Sequence, residues 1–537
     1  MRIKQILRGH IHSLARQGQT YSAIAVDRDG LVVETFAAGA TLPSGVETVD
    51  LPGAAAIPAF TDSHVHFMPA ALLKVAGLRL ARVEGGKLRP DCLDELRVLL
   101  VEAAERRPGG FVFGFGLCVG ALAEKRLPRA TELDSWLPGR EVGLISHDGH
   151  SSSFTTIALR RLGLEAFAED GVLSGEAHET NMGKIQNGAM SGIKIADLAR
   201  GISGLVLEAA SAGVARIHCL EGFSDEGPDP TVDVLALAGP RLPIALRLYL
   251  QYTGLERVAR REGLMTRKRV GGCVAWEMDG SISSRTAAFD RPYLDHGAAG
   301  KLYKTADEAF ALMEPFHRAG YQISTHAIGP RGIESALLAL ERLLSGEGSR
   351  ARERRHRIEH FEFPRPDQVE RAGKLGLVTV VQPGFAWFDA RYVHSYEQGF
   401  DEETLRLFTP LRSLLEAGAI PALSSDSPVQ PIEPFVQVAG AVEHPVASER
   451  LSVFEALRAA TFGGAYAAFD EGEAGTIEVG KVADLALLDR DPFETPVDKI
   501  HEIKAIATWK KGKPLAAPPP GLAGFVAAAV AARRRTM

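Results

Sequence analysis

Apolar residues in this chain recur in two rhythms that take turns along most of its length. Short aliphatic and β-branched runs at 141–146, 214–218, 243–250, 272–278, 321–326, 357–359, 378–382 and 420–424 read as strands. Stretches with helical spacing lie between them, among them 305–319 and 332–344. Strands alternating with amphipathic helices predict a parallel sheet covered by helices, with reactive groups at the strand C-termini. The two ends of the chain differ. Residues 22–26 and 30–34 are β-like and broken by the hairpin-type turn Asp27-Arg28-Asp29-Gly30, while 483–488 and 503–509 return to β. The expected architecture is α/β: a (β/α)8 TIM-like barrel over 59–470, with a small β-sandwich built from both ends, 1–58 and 471–516. The remaining 517–537, a Pro-rich turn followed by Ala and Arg, predicts a C-terminal surface helix.

Composition narrows the class of partner. A chain of 537 residues has room for one large barrel and a smaller domain. Its 61 basic and 67 acidic residues leave a net charge of −6, too small to point to nucleic acid or a membrane surface. That leaves a small-molecule substrate open as a partner, and a symmetric homo-oligomer is compatible with everything in the sequence. Cys92, Cys118, Cys219 and Cys273 show no Cys-x-x-Cys spacing, which argues against a disulfide framework or zinc ribbon and fits a reducing cytoplasm. No secretory pattern is read in residues 1–14, and the apolar stretch 522–532 is far shorter than the roughly 20 residues of a membrane span.

Four stretches carry metal-ligand chemistry in a telling order: Asp62-Ser63-His64-Val65-His66, Thr325-His326-Ala327-Ile328-Gly329, Arg357-Ile358-Glu359-His360 and Ser424-Ser425-Asp426-Ser427-Pro428. Residues two apart on a strand share a face, so His64 and His66 can bind one ion. A second pair, His10-Ile11-His12, receives no role. His360 follows His326 by 34 residues and Asp426 follows His360 by 66, close to one and two βα units, which would deliver all of them to one rim. Neutral imidazoles with a carboxylate suit a divalent ion, zinc first, with manganese or iron as other occupants.

These motifs, with several others, resemble the amidohydrolase superfamily and specifically its YtcJ-like branch, which includes N-substituted formamide deformylases. The resemblance runs through Ile57-Pro58-Ala59-Phe60-Thr61-Asp62-Ser63-His64-Val65-His66, Asp148-Gly149-His150-Ser151, the loop from Asp279-Gly280-Ser281 to Ser284-Arg285-Thr286-Ala287, and the motifs of His326, His360 and Asp426. It ends in 475–485, similar to the family's re-entry into the sandwich. It implies hydrolysis of a non-peptide C–N bond, amide or N-acyl, by hydroxide held on one or two ions, with Asp426 both a ligand and the proton shuttle. His64 and His66 would hold one ion, and His326 and His360 the second or an assisting place. Ester, lactone or cyclic imide hydrolysis by the same groups, and a degenerate ligand-binding or regulatory protein, are the alternatives.

The sequence departs from the branch at one place. Where the family carries a lysine four residues before Asp-Gly, this chain has Ala275, in Val274-Ala275-Trp276-Glu277-Met278-Asp279-Gly280. Glu277 shares a strand face with Ala275 and is a candidate bridge between two ions; a mononuclear site and a bridge from Cys118 are the rivals. Candidate substrate contacts are His150, as donor to an oxyanion; Asp279 and Arg285, as a carboxylate grip or a mutual ion pair; and His218, at the end of a strand. Trp387 and Phe388 read as packing. No organic cofactor is implied, because Gly114-Phe115-Gly116 lacks the context of a dinucleotide fingerprint.

Overall fold

The computed structural model describes residues 3–515 apart from 107–108, 191, 224, 226 and 228; the C-terminal helix expected over 517–537 lies outside the described residues. Eight parallel strands form the central sheet: β1 (Phe60–Val65), β2 (Val214–Glu221), β3 (Ala245–Leu250), β4 (Arg269–Glu277), β5 (Gln322–Ala327), β6 (Arg357–His360), β7 (Val378–Val381) and β8 (Ile420–Leu423). They pair in chain order, and the segment after β8 closes the ring on β1 through a parallel bridge between Val65 and Ser427. His66 N–H donates to the Ser427 carbonyl at 2.9 Å, and Asp426 N–H to the His64 carbonyl at 3.1 Å, so barrel closure itself brings the first and last motifs together. Most of these strands are buried along their whole length, as expected of a parallel sheet covered by helices.

The helices between strands follow from sequence. Ala306–Arg318 starts at Thr305, whose hydroxyl caps the Glu308 amide while the Glu308 carboxylate returns to the Thr305 N–H. Pro330–Leu344 opens with proline at its first turn and buries Ile333, Ala336, Leu337 and Leu340. Both ends of the chain share one further sheet, in which Leu485–Leu488 joins Ala55–Pro58 and Gln5–His12 lies beside Thr20–Val26. The turn at 27–30 connects antiparallel strands as its sequence predicts, with Gly30 at φ +86° against Lys511.

One strand expected in the barrel belongs elsewhere. Val142–Ser146 pairs with Val112–Leu117 and Ser151–Phe154 in a separate five-stranded sheet, which also takes in Gly77–Arg79 and Val172–Ser174. This whole sheet is inserted between β1 and β2. Its parallel strands are separated by the helices Leu93–Arg106 and Ala130–Trp136, so it repeats the βαβ rhythm of the barrel, and periodicity alone cannot tell the two apart. No helix among the described residues is long and apolar enough to cross a membrane.

Candidate metal centre

His64, His66, His326, His360 and Asp426 converge at the mouth of the barrel. The His64 and His66 rings are 5.2 Å apart, His64 and His360 5.1 Å, and His326 and His360 4.5 Å. Asp426 Oδ1 is 3.2 Å from His64 Nε2 and 3.5 Å from His66 Nε2, yet it is buried and accepts no hydrogen bond. A buried carboxylate oxygen without a donor is costly. Facing two imidazole nitrogens, this one is the expected sign of a cation position, and the donor set fits a divalent ion.

Three of the four imidazoles are held by a bond from their far nitrogen. His64 Nδ1–H donates to Glu359 at 2.7 Å, His360 Nδ1–H to Gln382 Oε1 at 2.9 Å, and His326 Nε2–H to the Gly280 carbonyl at 3.2 Å. Each bond orients its ring so that the other nitrogen faces the centre. Glu359 is in turn clamped by Arg357 at 2.7 and 2.8 Å, and the Arg357 guanidinium pulls its carboxyl well below the usual range although burial opposes this. Burial pushes His360 and His66 each to about 4, so both imidazoles are neutral at physiological pH. Burial works against ionisation of Asp426, but His64 and its neighbours hold it at about 2. Both His360 (φ +70°) and Asp426 (φ +57°) have left-handed backbones, a strain typical of side chains aimed at a functional point.

Sequence reasoning missed the sulfur. Cys273 Sγ lies 3.6 Å from His64 Nε2, 3.9 Å from His326 Nδ1 and 4.0 Å from His360 Nε2. Its signal was the Gly271-Gly272 pair inside a β-like run, a mark of a bulge. The pairing of β4 with β5 jumps from Gly272 opposite Thr325 to Glu277 opposite His326, and the looped-out residues turn Cys273 inward. Ala275 instead lines an open cleft with Tyr303 and Lys304.

Glu277 stands with His150 and His326, one oxygen accepting from Val274 N–H at 2.7 Å and the other unpartnered. Burial raises its carboxyl well above the usual range, with Glu179 adding to the shift. Cys118 is absent from every candidate metal group among the described residues and packs with Leu88 and Val393. His10 and His12 both meet Asp491, at 3.2 and 2.9 Å, beside the sheet shared by the two chain ends.

Of the four expected substrate contacts, only His150 lines the cavity over the centre. Burial lowers its basicity, but Glu179, with Oε1 2.9 Å from His150 Nδ1, more than offsets this and takes it to about 10. Asp279 is fully buried and accepts the N–H groups of Ala288, Ile328 and Gly329 at 2.8–2.9 Å, so it fastens the loops after β4 and β5. Arg285 pairs with Asp295 (Nε to Oδ1 2.9 Å), not with Asp279, and lines a neighbouring open cleft. His218 lies beneath the centre, accepting from Arg357 Nη1 at 3.0 Å. The inserted sheet and the helices after it supply an apolar wall over the centre, including Phe113, Phe115, Ile145, Met182 and Ile185. An adjoining, more polar cavity, also lined by His150, His360 and Asp426, takes in Ser281, Glu362, Tyr396 and Phe388.

The amidohydrolase family model matches residues 47–516. N-substituted formamide deformylase of Arthrobacter pascens is 25% identical over 95% of this chain and 98% of its own. Protein LONG AFTER FAR-RED 3 of Arabidopsis thaliana is 27% identical, covering 88% and 84%. Among solved structures, a metal-dependent hydrolase from Pyrococcus furiosus superposes with a TM-score of 0.67 at 25% identity, over 91% of this chain and 100% of that one.

Proposed function

Because the chain belongs to the amidohydrolase family, we propose that it cleaves a non-peptide C–N bond of a small amide bearing an apolar substituent. The observation that carries this reading is the unpartnered, buried Asp426 Oδ1 between His64 and His66, at the foot of an apolar cavity. A divalent ion bound there supplies Lewis acidity and brings the pKa of water to about 7. Asp426, ionised and acceptor-only, takes the proton of the attacking water and returns it to the leaving nitrogen. His150, kept protonated by Glu179, points its charge at the cavity and stabilises negative charge growing on the substrate oxygen. The apolar wall binds the substituent and excludes water. The Arthrobacter relative's name supports placing N-substituted formamides first among the substrates tested.

The test is amine release from a panel of N-substituted formamides and N-acyl amines by the zinc- or manganese-loaded protein and its Asp426→Asn variant. Metal-dependent turnover that falls by roughly 10²–10⁴ in the variant is expected. Equal rates in both proteins, or ester cleavage with no amide cleavage, would overturn the reading.

A further inference from the structure

We propose that the Cys273 thiolate is a metal ligand shared between the two halves of the centre, one built on His64, His66 and Asp426 and the other on His326 and His360. The inference rests on the metal-dependent reading above and names a ligand that reading does not require. Zinc–sulfur and zinc–nitrogen bonds of about 2.3 and 2.0–2.1 Å at a tetrahedral angle give a sulfur–nitrogen edge of about 3.6 Å. The three observed separations, 3.6, 3.9 and 4.0 Å, sit at or just beyond that edge. All three partners present ring nitrogens, and the far nitrogens of His64, His326 and His360 are already committed to Glu359, Gly280 and Gln382.

A buried cysteine is often only a small apolar side chain. The backbone around this one argues for more. Gly271 (φ +95°) and Gly272 (φ +135°) precede it, and Val274, a β-branched residue, follows at φ +59°. A Cβ at Gly271 would lie 1.9 Å from the Ser324 carbonyl, so the loop cannot relax toward a regular strand with a side chain there. Gln251 Oε1 accepts the Cys273 N–H at 2.7 Å, and the Gln251 carbonyl accepts Trp276 Nε1–H at 3.0 Å, which holds the loop from both sides. Strain of this kind persists where surrounding structure enforces a side-chain direction. The direction enforced is toward the histidines. On binding, the thiol proton leaves to solvent and the sulfur lone pair forms the metal bond; a coordinated thiol is deprotonated outright. Glu277, anchored on Val274 N–H, groups with His150 and His326 and not with the sulfur.

Cobalt(II) titration of the metal-stripped, full-length protein tests the proposal by its colour rather than its activity. The wild type is expected to show a near-ultraviolet thiolate-to-cobalt charge-transfer band that grows through two equivalents per chain. Cys273→Ser and Cys273→Ala should lose the band and bind at least about tenfold more weakly, while Glu277→Gln keeps it. Cobalt bound without the band in wild type, a band that survives in Cys273→Ser, or one complete at a single equivalent would each overturn the shared thiolate and leave the hydrolase reading standing. No cobalt bound by the wild type at all would sink both.

Discussion

Replacing Glu359 with glutamine removes one charge and leaves the shape nearly unchanged, yet it strikes the support of the centre. The carboxylate accepts from Arg357 Nε and Nη2, from the Ser324 hydroxyl, and from His64 Nδ1–H at 2.7 Å. A carboxylate has lone pairs for four donors. A glutamine has one oxygen, and its amide group is itself a donor, so in either orientation some of these four groups meet N–H against N–H. Arg357 and Glu359 are both fully buried, and breaking a buried pair costs about 3–5 kcal/mol because one charge stays behind. Loosening a metal-binding histidine from its carboxylate costs roughly 10–100-fold in metal affinity, about 1.4–2.8 kcal/mol. Thermal unfolding of the metal-stripped variant reads the first loss, and competition with a chromophoric chelator reads the second. Converting Arg357 to methionine as well should recover much of the stability by removing the orphaned charge, while affinity stays low. A single Glu359→Gln variant with wild-type affinity would refute the claim that this carboxylate positions His64.

Ala275→Lys should restore neither a bridge nor extra metal, because position 275 faces the cleft of Tyr303 and Lys304; metal counts per chain read this directly. Asp279→Ala strands three buried N–H donors at about 1–3 kcal/mol each before water relieves them, so its thermal midpoint should fall, while KM of the metal-loaded protein changes little. Glu179→Gln removes the carboxylate that holds His150 near 10, so the alkaline limb of the kcat/KM profile should move to lower pH, toward the ordinary histidine value of about 6.5. An unmoved limb would mean that His150 is not the titrating donor.

The convergence of His64, His66, His326, His360 and Asp426 was legible because each sits in a motif at the C-terminal end of a barrel strand, spaced to reach one rim of the barrel. His64 and His66 were the clearest, since residues two apart on a strand share a face. Glu359 and Gln382 were not legible as supports: their role lies in which ring nitrogen they meet, and no spacing encodes that. Cys273 escaped because strict alternation was applied across β4, where the bulge after Gly272 shifts the pairing and turns the side chain inward. The same alternation favoured Glu277. Asp279 and Arg285 sit in a family-like loop and read as pocket residues, yet the backbone donors around the one and Asp295 beside the other claim their charges. The strand at 142–146 reads as barrel because the inserted sheet repeats the same local rhythm; only long-range pairing distinguishes the two.

The most direct measurement is the metal content per chain of the purified wild-type protein by elemental analysis, repeated after stripping and reconstitution. Stoichiometric divalent metal, lost together from His64→Ala and Asp426→Ala variants that remain folded, is the predicted result. A wild-type protein that holds no divalent ion even after reconstitution would contradict the account at its centre.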